Sequence, residues 1–401
     1  MEFLAKRILQ LSESATLLMT RKARELREQG YDIINLSIGE PDFNSPSQVK
    51  EAGKKAIDDN QTHYTPVAGL PELKKAIAAK LLEDNRLNYR PEQVVVSNGA
   101  KQCIANAMLC LVDPGDEVVI PSPYWVSYPE MAKLAGGKPV IVPARVEDEF
   151  KVTPQQVKKA LTDRSKVFVF SSPCNPTGSC YSRDELKALA EVFAEHKSIF
   201  VISDEIYEYI IYDGAHTSIA EFDMIRDRVI TVNGSSKGYA MTGWRLGYMA
   251  ADEKLAKACD KLQGQTTSNA SSISQLAMLE ALRLRPDNSV EIRDMVHAFK
   301  QRRDQVISML KQIPGLKINV PDGAFYVFPD VSEYFGKNNK GEVISNDADL
   351  SLYLLKEALV SVVPGSAFGD PNCIRISYAT SMEKLKEAIS RISAALGQLE
   401  D

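Results

Sequence analysis

A single lysine, Lys237, lies among small residues in the stretch NGSSKGYAMTGWRLGY, and Arg245 follows it eight residues later. A phosphate group can bind the backbone N–H groups and hydroxyls of such a turn, with an arginine supplying positive charge. The alternative is an ordinary loop that carries a solvated lysine. Neither the G-x-x-x-x-G-K-[ST] nor the G-x-G-x-x-G phosphate motif occurs in the chain, so the lysine must be judged together with its partners.

Asp204 and Tyr207 stand in VISDEIYEYIIY, at the end of a strongly apolar run. A carboxylate at such a position costs free energy unless a positive charge faces it. The partner is either a structural cation or the pyridinium nitrogen of a cofactor that serves as an electron sink.

Three further motifs also follow apolar runs. Asn175 in SSPCNPTG is typical of a turn, and its amide can equally face a cofactor oxygen. Gly99 and Ala100 open a helix whose N-terminus can bind a phosphate. Trp125 either packs in the core or lies flat on an aromatic ring.

Arg375 lies in CIRISYA between Ile374 and Ile376. Strand alternation places its side chain on the face opposite both isoleucines. An arginine in an apolar strand needs an anion, and its planar fork matches a carboxylate. That anion is either a structural Asp or Glu or the α-carboxylate of a substrate.

The elements that must position these residues alternate between apolar, β-branched runs and stretches of helical spacing. Strands are predicted at 94–97, 117–123, 138–143, 166–173, 200–207 and 228–234. Near-continuous apolar strands separated by helices indicate an α/β fold with a mostly parallel sheet covered on both faces. Ligands of such sheets gather at the carboxyl ends of the strands.

After Pro286 the pattern changes to a long helix that runs to about residue 312, followed by mixed strands and helices. Strands are predicted in GLKINV, AFYVF and CIRISYA. This mixture indicates a second, smaller α+β domain. We expect a large domain at 49–295 and a small domain made of 1–48 and 296–401.

The composition excludes several classes of protein. The 401 residues carry a net charge of -5, which does not favour a nucleic-acid-binding surface. Six scattered cysteines and four histidines show no metal-ligand spacing, so we expect no metal. The N-terminus is not typical of a signal peptide, and no apolar stretch reaches the roughly 20 residues of a membrane span. We therefore expect a cytoplasmic protein.

Several segments, taken in their order along the chain, together resemble the class I aminotransferases of fold type I. Within them the chain is similar to the bacterial aspartate aminotransferase subgroup, and the resemblance extends over nearly all of its length. It implies a pyridoxal 5′-phosphate enzyme with helices on both faces of the large domain's sheet. The segments are NLSIGEPDF, HYTPVAGLPELKKAI, SPYWVSYPEM, SSPCNPTG, ISDEIYE, SSKGYAMTGWRLGY, GAFYVF and IRISYAT.

This resemblance also implies roles at the reacting end of the cofactor. Lys237 is similar to the lysine that forms the Schiff base. Asp204 would pair with the pyridine nitrogen, and Asn175 and Tyr207 would bond the phenolic oxygen. Trp125 would stack on the ring.

The remaining implied roles concern the phosphate, the dimer and the substrate. Gly99, Ala100 and Arg245 would hold the phosphate with help from Ser236, and Lys101 would also contact the cofactor. Trp125 and Asn175 would contact the substrate as well as the cofactor. Tyr64 would reach the phosphate of a neighbouring subunit, which implies a homodimer. Arg375 would bind the substrate α-carboxylate, and Gly39 would contribute backbone as the N-terminal loop closes.

Substrate choice follows from Lys101, which is similar to a lysine that faces the distal carboxylate of acidic substrates. Ser14 and Thr16 match the Ser-Ala-Thr that assists it. The implied reaction converts L-aspartate and 2-oxoglutarate to oxaloacetate and L-glutamate.

Two positions depart from the pattern of relatives. Leu11-Ser12-Glu13 replaces the Lys-Pro of several relatives that also use prephenate, and Gly234 stands where a phosphate-binding Ser or Thr is frequent. Prephenate, aromatic or other aminotransferases and a β-lyase of the same fold remain alternatives. A non-enzymatic, ligand-sensing regulator is the remaining alternative, although no basic helix-turn-helix extension is present in the sequence.

Overall fold

The computed structural model describes residues 3–13 and 15–400. Its strands are β1 (Ile34–Asn35), β2 (Val94–Ser97), β3 (Glu117–Ser122), β4 (Lys138–Pro143), β5 (Ser165–Ser171), β6 (Phe200–Asp204), β7 (Val229–Gly234), β8 (Gly247–Ala250), β9 (Tyr326–Val327), β10 (Asn338–Asn339), β11 (Glu342–Val343), β12 (Val360–Ser361), β13 (Val363–Pro364) and β14 (Ile374–Ser377). Its helices are α1 (Lys6–Leu9), α2 (Ala15–Glu28), α3 (Ser47–Asp58), α4 (Pro71–Asn85), α5 (Ala100–Leu111), α6 (Ser127–Leu134), α7 (Pro154–Ala160), α8 (Arg183–Glu195), α9 (Glu253–Thr266), α10 (Ser272–Ala281), α11 (Val290–Leu310), α12 (Asp347–Glu357) and α13 (Met382–Leu396).

A seven-stranded sheet has the order β2-β8-β7-β6-β5-β3-β4. The strands from β3 to β7 run parallel, whereas β8 is antiparallel to both of its neighbours. All six strands predicted in this region are present, which confirms the mostly parallel α/β sheet. Strand β8 was not predicted, because its four residues are too few to show an alternating pattern.

Both faces of this sheet are buried, and alternation along each strand sends neighbouring residues to different cores. Val94, Val119, Phe168 and Val201 pack in one core with α4 and α8. The next residues on the same strands, such as Val95 and Ile202, pack in another core with α5 and α9. Two buried faces explain why these strands read as continuous apolar runs.

A smaller three-stranded antiparallel sheet has the order β13-β14-β9. Near it β1 pairs with β12, matching Ile34 to Val360, so the N-terminal segment lies against the C-terminal part of the chain. The domain boundaries given above stay a prediction.

The strand predicted in GLKINV is wrong. Only Lys317 of that segment forms a bridge, with Asp330. The Asn319 side chain donates instead to Thr177 O and to Ser179 Oγ, both at 3.1 Å. These contacts tie the segment to the turn after β5 in place of a neighbouring strand.

No helix within 3–13 and 15–400 combines the length and apolar character that crossing a membrane requires.

Candidate active site

A cavity of about 310 Å³ lies at the carboxyl edge of the large sheet. Strands β5, β6 and β7 end there, helix α5 begins there, and β14 of the smaller sheet faces it. The predicted site residues that line it are Thr16, Gly39, Ala100, Lys101, Trp125, Asn175, Asp204, Tyr207, Ser236, Lys237, Arg245 and Arg375.

Two predicted site residues of the described part of the chain do not line this cavity. Gly99 lies behind Arg245, at the position before α5. Tyr64 is 91% exposed and stands away from the cavity of its own chain. Ser14 lies outside the described residues.

Lys237 follows β7 by way of a buried turn, and its Nζ donates a hydrogen bond to Gly39 O. Burial lowers the pKa of this lysine to about 8. Arg375 and Arg245 act in the same direction, whereas Glu40 raises the pKa. An amine with such a pKa is partly uncharged near neutral pH and can act as a nucleophile or a base.

Asp204 ends β6 and is buried, with 5% exposure. Its Oδ2 accepts a hydrogen bond from Tyr128 at 2.8 Å and its Oδ1 accepts one from Ile206 N at 3.3 Å. No Lys, Arg or His of the described residues lies within ion-pair distance of it. Burial raises the pKa of Asp204 to about 6. A buried carboxylate that faces a cavity without a cation is a site for a positively charged group.

Arg375 is 2% exposed, and within the described part of the chain no carboxylate pairs with it. Its Nη1 donates to Asn175 Oδ1 at 2.9 Å and its Nη2 donates to Ser37 O at 2.6 Å. Its Nε is buried without a partner. Tyr326 and Phe368 cover the guanidinium at 4.6 Å and 4.9 Å from their ring centroids. The structural Asp or Glu that the sequence left open is therefore absent from the described residues, and the cation is available to an anion from outside.

The opposite end of the cavity suits a phosphate. Helix α5 begins at Ala100 without a side-chain cap, so its first N–H groups are free to face an anion. The Arg245 guanidinium lies so close to Gly99 that a Cβ there would stand 2.5 Å from Nη2. Gly99 also has φ +85°, which favours glycine. The absence of a side chain at Gly99 therefore lets the Arg245 guanidinium approach the backbone at the start of α5.

Gly234 has a packing reason to be glycine. A Cβ at this position would stand 2.8 Å from Gly247 Cα and 2.8 Å from Leu246 O on the neighbouring strand. The hydroxyl of Ser235 is directed to Leu246 O at 3.3 Å, away from the cavity, whereas Ser236 lines it.

The mouth of the cavity carries a second cation. Lys101 Nζ lies 4.9 Å from the centroid of the Trp125 ring. Burial lowers the pKa of Lys101, and the positive charge of Arg245 lowers it further. Thr16, at the start of α2, lines the same side. The two cations, Arg375 within and Lys101 at the mouth, suit a ligand with two carboxylates.

Several lining residues were not predicted from the sequence: Leu17, Glu40, Val126, Ser127, Tyr128, Ser171, Ile206 and Thr242. Glu40 accepts from Thr242 Oγ1 at 2.8 Å and so joins the N-terminal loop to the lysine loop. Tyr128 stands three residues after Trp125, and their rings meet edge to face at 5.4 Å. That spacing, one turn apart, was the only local signal for Tyr128.

Comparisons with known proteins agree with this architecture. The family described as aminotransferase class I and II matches residues 31–392. A bifunctional aspartate aminotransferase and glutamate/aspartate-prephenate aminotransferase of Petunia hybrida is 49% identical over 395 residues, which cover 98% of this chain and 82% of that protein.

Solved structures match just as fully. The aspartate aminotransferase of Rhizobium meliloti has a TM-score of 0.95 at 42% identity and covers 99% of each chain. The aspartate aminotransferase of Thermus thermophilus with maleate has a TM-score of 0.92 at 40% identity, covering 98% of this chain and 100% of that one.

Proposed function

Because the chain belongs to the class I and II aminotransferase family, we propose that it catalyses transamination between L-aspartate and 2-oxoglutarate. The products are oxaloacetate and L-glutamate, and the cofactor is pyridoxal 5′-phosphate. The observation that carries the proposal is the buried, carboxylate-free Arg375, which shares one cavity with a lysine of lowered pKa and a buried aspartate.

The donor groups of the cavity fit this cofactor. Asp204 offers a carboxylate to a pyridine nitrogen. Tyr207 offers its hydroxyl to a phenolic oxygen. Asn175 offers its side-chain N–H groups to the same oxygen, because its Oδ1 already accepts a hydrogen bond from Arg375. When bound, the cofactor supplies an electron sink for the charge left on a substrate carbon. The phosphate would be held by Gly99, Ala100, Ser236 and Arg245, and the ring would be covered by Trp125.

Lys237 supplies the proton chemistry. Its uncharged amine would tether the cofactor. Once released by the substrate's own amine, it would take the proton from the substrate Cα and deliver it to the C4′ carbon of the cofactor. Desolvation and two nearby guanidinium groups keep the Lys237 pKa low enough for this work.

The substrate is a dicarboxylate in this proposal. Arg375 would bind the α-carboxylate, with Gly39 backbone above it, and Lys101 with Thr16 and Ser14 would face the distal carboxylate. The Thermus thermophilus relative is named with maleate, a small dicarboxylate, which supports the assignment.

Prephenate is a second candidate substrate, because the Petunia hybrida relative is named for both activities. The segment that departs from prephenate-using relatives, Leu11-Ser12-Glu13, carries no lysine here. Ser12 N donates to Glu130 Oε2 at 2.9 Å, and Glu13 pairs with Arg21 at 3.4 Å. The absence of that lysine favours aspartate over prephenate as the substrate.

We also propose a homodimer in which Tyr64 of one subunit reaches the phosphate of the other. The 91% exposure of this tyrosine supports the idea, because it leaves the ring and hydroxyl free to contact a neighbouring subunit. Sedimentation analysis of the protein, with Tyr64→Ala tested for cofactor retention, checks both parts.

A panel of amino donors against 2-oxoglutarate tests the substrate assignment. Lys101→Ala should lose about tenfold or more in kcat/KM for aspartate, while alanine and phenylalanine change little. Equal losses for aspartate, alanine and phenylalanine would overturn the role of Lys101. Absence of any oxaloacetate from aspartate would overturn the proposed reaction.

A further inference from the structure

Tyr326 belongs to the GAFYVF segment, to which no role has yet been given. It lies on β9, next to the β14 strand that carries Arg375, and it is fully buried. Its hydroxyl stands 2.8 Å from the hydroxyl of Tyr207. Between 3–13 and 15–400, this is the only hydrogen bond made by either hydroxyl.

A count of protons gives the direction of this bond. The two hydroxyls hold two protons and share one hydrogen bond, so one proton is left without an acceptor. A buried donor without an acceptor is costly, and it must face a space that a ligand can fill. Tyr207 lines the cavity, whereas Tyr326 does not. The spare proton therefore belongs to Tyr207, and Tyr326 is the donor of the shared bond.

The surroundings of Tyr326 favour the same direction. Burial raises the pKa of both phenols, but Arg375, 4.6 Å above the Tyr326 ring, opposes that rise. The Arg375 charge against its ring makes the Tyr326 hydroxyl a good hydrogen-bond donor. Gly39 leaves the space that this hydroxyl needs, because a Cβ on Gly39 would stand 3.0 Å from Tyr326 Oη.

We propose that Tyr326 is a positioning residue, whose hydroxyl donates to Tyr207 Oη and thereby turns the Tyr207 proton into the cavity. There the proton meets the phenolic oxygen of the cofactor, so the inference rests on the proposed function. A hydroxyl that accepts a hydrogen bond becomes a stronger donor through its own proton. Tyr326 thus acts on the cofactor site through Tyr207 and without touching it.

The test is a pH titration of the visible absorption of the cofactor-loaded protein, with Tyr326→Phe, Tyr207→Phe and the double variant. A donor at the phenolic oxygen stabilises negative charge, so its loss raises the titration midpoint. Tyr207→Phe should raise the midpoint by about one pH unit or more, and Tyr326→Phe by roughly half as much. The double variant should match Tyr207→Phe, because Tyr326 acts only through that residue.

Tyr378→Phe is the matched control. Tyr378 is a buried phenol of the same core, and its hydroxyl lies 3.1 Å from that of Tyr212, away from the cavity. Its removal should leave the midpoint unchanged. A Tyr326→Phe midpoint equal to that of the wild type, or a double variant that shows the sum of both shifts, would overturn the inference. A wild-type protein that gains no visible band with pyridoxal 5′-phosphate would instead overturn the proposed function.

Discussion

Arg375 Nη1 donates a hydrogen bond to Asn175 Oδ1 at 2.9 Å and so joins β14 to the turn after β5, 200 residues apart in sequence. A second bond from Nη2 to Ser37 O fixes the plane of the guanidinium. Two of its nitrogens are thus used to orient the fork, while Nε stays without a partner. The arginine is held in place before any ligand arrives.

Replacement of Arg375 by lysine keeps the charge but removes the fork. We expect Arg375→Lys to raise KM for aspartate by about 10- to 100-fold, the range for losing a hydrogen bond to a charged group. Retention of pyridoxal 5′-phosphate should be unchanged, since Arg375 is not among the residues proposed to hold it. Steady-state kinetics together with cofactor titration check both statements. An unaltered KM would show that the carboxylate binds elsewhere.

The lowered pKa of Lys237 predicts how the cofactor-free protein captures pyridoxal 5′-phosphate. Only the unprotonated amine reacts, so the capture rate should rise with pH and level off above a midpoint of about 8. Glu40→Gln removes a charge that raises this pKa, so its midpoint should lie lower than that of the wild type. Stopped-flow absorbance measures both. A capture rate that keeps rising until the pH approaches 10.5, the ordinary lysine pKa, would contradict a desolvated amine.

The ionised carboxylate of Asp204 should lower the free energy of unfolding of the cofactor-free protein, because it is buried without a cation among the described residues. Its pKa is raised to about 6 in the fold from 3.8, so the folded state binds more protons in that window and stability falls as pH rises through it. Asp204→Asn should therefore gain about 2–3 kcal/mol at pH 7, and the gain should shrink as pH falls from 6 toward 3.8.

Urea unfolding of the cofactor-free protein at several pH values measures this difference. Asp223→Asn is the control, because the Asp223 side chain is 86% exposed and its removal should change little. An Asp204→Asn protein less stable than the wild type at pH 7 would show that this buried charge is already compensated.

A buried ion pair joins α4 to the segment that follows β6. Lys80 on α4 is 2% exposed, and its Nζ bonds Glu208 and, at 2.7 Å, Asn85 Oδ1. Lys80→Met would leave the Glu208 carboxylate buried without a cation, so we expect a loss of about 3–5 kcal/mol in the free energy of unfolding. Lys54→Met, which breaks an exposed pair with Glu51, should cost less than about 1 kcal/mol. Equal losses in urea unfolding would contradict the distinction.

The sequence was informative wherever a polar residue follows an apolar strand. Asp204, Asn175 and Lys237 each follow such a strand, and parallel strands bring their carboxyl ends to one edge. The strand pattern and the mostly parallel sheet were predictable for the same reason, since two buried faces give continuous apolar runs.

The rest depended on contacts that no local pattern records. Tyr128 reaches Asp204 across 76 residues, and Tyr326 reaches Tyr207 across 119. GLKINV alternates like a strand, yet the side chain of Asn319 binds the turn after β5 instead. The roles of these residues depend on packing between segments that are distant in the sequence, so residue spacing along the chain does not predict them.

Lys237 is the proposed covalent attachment point of the cofactor, and every other proposed role in the site depends on it. The most direct test is to load the protein with pyridoxal 5′-phosphate, reduce it with borohydride, and locate the added mass by peptide mapping. We predict the modification on Lys237, with none after Lys237→Ala. A stable adduct on Lys101 or any other lysine, or a loaded protein that takes up no mass on reduction, would contradict it.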